Sequence, residues 1–144
     1  MSKYVITNGK IYTETHVIEQ GYLVVEDGKI SEIQEGQYTG ELEQIDTKGQ
    51  NVLPGFIDIH IHGGYGEDAM DASFEGLKHL SEQLLSEGTT TFLATTMTQS
   101  DANIEKALKN IVDYQAQQQR GEAAEIGGIH LEGPVSYTHL RAHE

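Results

Sequence analysis

The chain has no cysteine, which excludes disulfide bonds and any metal site built on thiolates. Proline is scarce too, at 2 residues against 16 glycines. Hydrophobic residues make up 37% of the chain and recur in organised runs of Val, Ile, Leu and Phe, a globular rather than a disordered composition. Basic side chains are few: 9 Lys and Arg stand against 23 Asp and Glu, for a formal net charge of −14. So acidic a surface repels phosphate backbones and anionic lipid, which argues against nucleic acid and membrane as partners. An anionic substrate would have to be met by a local cationic pocket or a metal. No window approaches the ~20 apolar residues of a membrane span. The stretch from Met1 to Ile11 has no apolar signal core, so a cytoplasmic location is the default expectation.

Residues 3 to 46 read as short strands. Tyr4-Val5-Ile6 and Lys10-Ile11-Tyr12 flank Asn8-Gly9, and Gly21 to Val25 and Lys29 to Ile33 flank Asp27-Gly28. Both dipeptides suit tight hairpin turns, so a small antiparallel β unit is expected. It carries no catalytic cluster; His16 stands alone there as a surface residue. From Asn51 the pattern changes. A turn at Pro54-Gly55 leads into a strand, Phe56 to His62, that ends at Gly63-Gly64. Ser73 to Glu87 reads as a helix with Phe74, Leu77, Leu84 and Leu85 on one stripe, Ser73 or Asp71 as cap and Gly88 as its end. His79 falls off that stripe and should be solvated. Thr89 to Thr96 reads as a strand buried on both faces. Asp101 to Gln119 is a second helix, with Ile104, Leu108, Ile111, Val112 and Gln115 on one side. Glu125 to Glu132 is a third strand.

Strands alternating with helices imply parallel pairing through right-handed crossovers. The expected class is α/β: the first three strands of an incomplete (β/α)8 TIM barrel, preceded by a small β-sandwich unit. A complete barrel of this kind needs ~250 residues. The expected division is 1–53 for the β unit, 54–134 for the start of the barrel, and 135–144 for a tail of foreign origin. That tail, Val135 to Glu144, resembles the in-frame translation of a sequencing adapter. It is set aside together with His139 and His143.

The chemistry concentrates at two strand ends. His60 and His62 are two apart on a strand, so they share a face with Cα atoms about 6.5 Å apart. Two such imidazoles can converge on one metal at ~2.0–2.1 Å from each nitrogen, and neutral imidazole suits zinc, iron, nickel or cobalt. The pair sits at the C-terminal end of the first barrel-type strand, where such barrels place their chemistry. Asp58 shares the face one step deeper, either orienting an imidazole or satisfied by backbone donors. Glu132 ends the third strand in the same way and can ligate a metal or act as a base. His130 shares its face and reads as a supporting residue rather than a ligand.

Pro54-Gly55-Phe56-Ile57-Asp58-Ile59-His60-Ile61-His62-Gly63-Gly64 resembles the metal-binding opening of the amidohydrolase superfamily. The continuation Tyr65-Gly66-Glu67-Asp68-Ala69-Met70-Asp71-Ala72, with Gly128-Ile129-His130-Leu131-Glu132-Gly133-Pro134, is similar to the N-acetylglucosamine-6-phosphate deacetylase family within it. The resemblance runs from about Tyr4 to Pro134. It implies a (β/α)8 barrel beside a small β domain built from both chain ends, and a homodimer when the protein is full length. It also implies one or two divalent metal ions per subunit, zinc or iron foremost, with His60 and His62 on one metal and Glu132 on a metal or bridging two. The implied substrate is a phosphorylated amino sugar, hydrolysed at its acetamide. No catalytic residue is assigned within the chain: the family's aspartate, two further histidines and most sugar and phosphate contacts are expected downstream, and the 144 residues alone are expected to be inactive. Two rivals remain. One is another amidohydrolase of dihydroorotase, hydantoinase or deaminase type, many of which lack a glutamate where Glu132 stands. The other is a non-catalytic barrel scaffold.

Overall fold

The computed structural model describes residues 2–133; Pro134 and the tail with His139 and His143 lie outside them. The chain divides between Pro54 and Gly55 into two compact units. Among the described residues, no helix is long and apolar enough to cross a membrane.

The first unit is built on β1 (Lys3–Tyr12), β2 (Val17–Glu26), β3 (Lys29–Glu35), β4 (Glu43–Asp46) and β5 (Asn51–Val52). Asp27 and Gly28 both take left-handed backbone, at φ 50° and 75°, and close the β2–β3 hairpin as a two-residue turn. The same chemistry at Asn8-Gly9 does something else. No hairpin forms there, because β1 runs straight through it as one strand. Between the pairs Ile6–Leu23 and Gly9–Gly21, β1 spends three steps against two on β2. The left-handed tolerance of Asn8, at φ 57°, therefore absorbs a β-bulge.

Nor is the unit wholly antiparallel. β4 and β5 pair with β1 in parallel, giving the order β3-β2-β1-β4 with β5 also on β1. The polar turn after β4 makes this possible: the Thr47 hydroxyl donates to the carbonyls of Thr7 and Asn8 at 3.0 and 2.8 Å. Asp46 accepts from the Lys48 N–H at 2.8 Å and the Asn8 amide at 3.1 Å. The expected β-sandwich is thus, among the described residues, a single five-stranded sheet, since every strand of the unit joins one ladder.

The second unit alternates strand and helix: β6 (Phe56–Ile61), the short hairpin β7 (Gly63–Gly64) and β8 (Glu67–Asp68), α1 (Phe74–Leu84), β9 (Thr89–Thr95), α2 (Asp101–Gln117) and β10 (Glu125–His130). β9 lies between β10 and β6, and both pairings are parallel. Ser73 caps α1 by accepting from the Gly76 N–H, and Gly88, at φ 82°, ends the turn that follows it. Ser100 caps α2 in the same manner.

The expected α1 stripe holds at Phe74, Leu77 and Leu84 and fails only at Leu85, whereas that of α2 is rotated from its expected position. On α1 the buried residues are, beside Gly76, the stripe Leu77, Leu80, Ser81 and Leu84, while Leu85 is 41% exposed. The spacing of 3, 1 and 3 places Leu80 on the stripe, and Leu85 starts a tighter 3₁₀ turn that swings it outward. On α2 the buried set is Ile104, Ala107, Ile111 and Tyr114. Val112 is 50% exposed, and Gln115, though exposed, donates its side-chain amide to the Ile126 carbonyl at 2.8 Å; small Ala107 and aromatic Tyr114 complete the 3-and-4 spacing. The core joins Leu77, Leu80 and Leu84 to Phe92, Ala94, Ile111, Tyr114 and Ile126, each large side chain contributing about 1.5–3 kcal/mol on burial. Phe74 closes it with an edge-to-face contact on Tyr114, centroids 5.2 Å apart. β9 is less covered than expected: Phe92 and Ala94 are buried on one face, while Thr91 and Leu93 on the other are half-buried and Thr90 is exposed.

Candidate metal centre

Parallel pairing on both sides of β9 brings the C-terminal ends of β6 and β10 to one edge of the sheet. β6 delivers His60 just before its end and His62 just after it, and Glu132 follows two residues beyond β10. The Nε2 atoms of His60 and His62 lie 3.3 Å apart. Glu132 Oε1 is 3.0 Å from His60 Nε2, and Oε2 is 3.8 Å from His62 Nε2. Each of the three offers one ligand atom, and these all fall within 4.8 Å of one another.

The donor set fits a divalent cation. Two nitrogens held by one metal at ~2.0–2.1 Å and a tetrahedral angle stand about 3.3 Å apart, the separation found here. A carboxylate oxygen beside two imidazole nitrogens adds negative charge to the set, which favours a cation among them. The Nδ1 atom of His62 is buried without a hydrogen-bond partner, so the ring is held by its position on the chain and by what its Nε2 face meets. These three residues could hold a metal ion, and they are the set that the family resemblance implied, two of them also marked by their spacing.

Neighbouring groups hold the cluster from below. Asp58 is committed to the backbone, its Oδ1 accepting from the His60 N–H at 2.9 Å; of the two roles open to it, the structure shows satisfaction by a backbone donor. His130 donates from Nδ1 to the Ile59 carbonyl at 3.0 Å and stacks on His60 with centroids 4.5 Å apart. It braces a ligand and is outside the ligating group. Past His62 the chain reverses at once. A side chain at Gly63 would run into the backbone of Glu67 and Asp68, so only glycine permits the β7–β8 hairpin there. The Ala69 N–H then returns to the His62 carbonyl at 2.8 Å.

Two residues escaped the reading of the sequence. Thr95 and Thr96, at the end of β9, are both fully buried. The Thr95 hydroxyl accepts from the Ile61 N–H at 3.0 Å, and the Thr96 hydroxyl accepts from the Glu132 N–H at 2.9 Å. In sequence they look like two more β-branched strand residues. The available signal was their place, at the rim end of the central strand. His16 and His79 are both exposed and distant from the cluster in role: His16 Nδ1 meets the Thr13 and Thr15 hydroxyls, and His79 pairs with Glu67 at 2.9 Å.

A parallel βαβαβ unit with a His-x-His strand end facing a rim glutamate defines a class. Residues 51–134 match the amidohydrolase family, and the chain belongs to that family. Its relatives narrow the class. The chain is 50% identical over 127 residues to the N-acetylglucosamine-6-phosphate deacetylase of Bacillus subtilis (strain 168), covering 86% of this chain and 32% of the relative. It is 41% identical over 116 residues to that of Lysinibacillus sphaericus, covering 81% and 30%. Among solved structures, the N-acetylglucosamine-6-phosphate deacetylase of Pasteurella multocida matches with a TM-score of 0.84 at 32% identity, over 96% of this chain and 36% of that one. The chain thus spans about a third of the length of the relatives it matches.

Proposed function

We propose that the whole protein hydrolyses the acetamide of N-acetylglucosamine 6-phosphate, releasing glucosamine 6-phosphate and acetate. The observation that carries this is the convergence of His60, His62 and Glu132 within 4.8 Å, in a chain half identical to a deacetylase of that substrate. The described second unit supplies the opening of a (β/α)8 barrel in this reading. Its support is the succession of three neighbouring parallel strands in chain order, β6, β9 and β10, with the ligand-bearing ends all on the rim.

His60, His62 and Glu132 would hold one or two divalent ions. Two neutral imidazoles and a carboxylate suit zinc or iron. A metal held there would lower the pKa of a bound water toward about 7 and polarise a carbonyl oxygen. The chain's own residues do the rest of the local work. His130 props the His60 ring, Asp58 fixes the His60 backbone, and the His62 carbonyl is tied to Ala69. Proton transfer to the leaving amine is assigned to the aspartate that the family resemblance places downstream, outside residues 2–133. A cationic centre also answers the difficulty posed by an anionic substrate on a chain of net charge −14.

The test is acetate release by the whole protein from N-acetylglucosamine 6-phosphate, against the C4 epimer N-acetylgalactosamine 6-phosphate as comparison substrate. Turnover that disappears with a chelator and returns with metal supports the proposal. A metal-replete protein that cleaves neither sugar overturns it, and a protein that holds no stoichiometric metal fits the scaffold instead.

A further inference from the structure

We infer that the adjacent hydroxyls of Thr95 and Thr96 form a clamp that positions the two arms of the metal centre, one hydroxyl to each arm. The inference rests on the metal-binding role proposed for His60, His62 and Glu132, but its geometry stands apart from that role.

Thr95 and Thr96 end the central strand, with a ligand-bearing strand on either side. Both side chains have no solvent exposure, so each hydroxyl must find its partners within the protein. Thr95 takes the N–H of Ile61, the residue between the two histidines, and donates onward to the Leu93 carbonyl at 3.2 Å. Thr96 takes the N–H of Glu132 and donates to the carbonyl of the same residue at 3.2 Å. Its own N–H reaches the His130 carbonyl at 3.0 Å.

The regular ladder reaches its end at these points: Ile61 still pairs with Ala94, and His130 is the last residue of β10. β6 ends at Ile61, and its register against β9 shifts between Asp58 and Ile61. Glu132 lies beyond β10 altogether. Side-chain hydroxyls thus bond the N–H groups of Ile61 and Glu132 where the strand ladders run out. A threonine hydroxyl both accepts and donates, which is what each position requires. Valine has the same shape and can do neither, and it leaves an N–H without its partner. Neither threonine touches the metal position, so both are positioning residues.

The experiment uses the whole protein and the substitutions Thr95→Val, Thr96→Val, Thr95→Ser and Thr96→Ser, with Ile111→Val as a core control away from the rim. In the metal-free protein, amide hydrogen exchange should accelerate at Ile61 in Thr95→Val and at Glu132 in Thr96→Val, each without the other. Both serine variants should keep wild-type protection. In titrations with Co²⁺ followed by its visible absorption, each valine variant should bind about tenfold or more weakly, the loss typical of supports behind a ligand, with serine restoring affinity to within about twofold. Ile111→Val should lower Tm and leave Co²⁺ affinity and spectrum unchanged. Valine variants with wild-type amide protection and wild-type Co²⁺ affinity overturn the clamp. If Co²⁺ binding is indifferent even to loss of His60, His62 and Glu132, the metal assignment is wrong, and the exchange rates at Ile61 and Glu132 still decide the clamp.

Discussion

Nε2 of His60 stands 3.0 Å from Oε1 of Glu132, although the two residues end different strands with a third strand between them. Such an approach of an imidazole and a carboxylate, with a second imidazole nitrogen 3.3 Å away, is the structural basis of the account. Its consequences can be measured residue by residue.

The rotated face of α2 gives a stability contrast. Ile111 is fully buried in the helix–sheet core, whereas its neighbour Val112 is 50% exposed. Ile111→Ala should destabilise the protein by about 2–5 kcal/mol, and Val112→Ala should change stability by less than about 0.5 kcal/mol. Urea unfolding of both variants checks this. Equal losses would return Val112 to the buried stripe.

A pH effect is expected in the first unit. The Lys48 backbone N–H, and after it the Asn8 side-chain amide, hold the Asp46 carboxyl below the usual carboxylate range. A group whose folded pKa is depressed stabilises the fold above its unfolded value, about 3.9, and loses that contribution as pH falls through the folded value. Asp46→Asn should therefore be less stable than wild type near neutrality, and the gap should close in acid. Melting curves for both proteins across the acid range test the sign. A gap that widens as pH falls would contradict the assignment.

These contrasts also mark what the sequence made legible. The order strand, helix, strand, helix, strand was readable from periodicity, and the caps at Ser73 and Gly88 from residue type. His60, His62 and Glu132 were readable because strand ends carry chemistry in this architecture. Three things were hidden, each for a physical reason. Asn8-Gly9 has the local chemistry of both a hairpin turn and a bulge, and only pairing with β2 decides between them. Apolar residues on both sides of α2 leave its buried face open until Ala107 and Tyr114 meet the sheet. Thr95 and Thr96 have the β propensity of ordinary strand residues, and their hydroxyl bonds arise only when Ile61 and Glu132 arrive from far along the chain.

A third expectation concerns the 144 residues taken alone. Phe56, Ile57 and Ile59 of β6 are 56%, 66% and 65% exposed, an apolar surface that further barrel elements would cover in the proposed whole. Expressed by itself, the chain should bind a hydrophobic dye, associate, and show no deacetylase activity. A soluble monomer with a sharp cooperative melt and dispersed side-chain NMR signals would contradict this.

The central claim is that His60 and His62 serve one metal position and Glu132 the ion that activates water, so that loss of Glu132 is the more damaging. Its support is that water left without an activating metal keeps its proton at neutral pH, whereas loss of an auxiliary ion weakens charge stabilisation only. The most direct measurement is metal content per subunit, by atomic emission, alongside acetate release, for the whole protein carrying Glu132→Ala or His60→Ala/His62→Ala. Glu132→Ala should lower total metal and abolish hydrolysis, while the double histidine variant should lose about one equivalent and keep measurable activity. Wild-type metal content in both variants would contradict the account, as would an active Glu132→Ala beside a dead histidine variant.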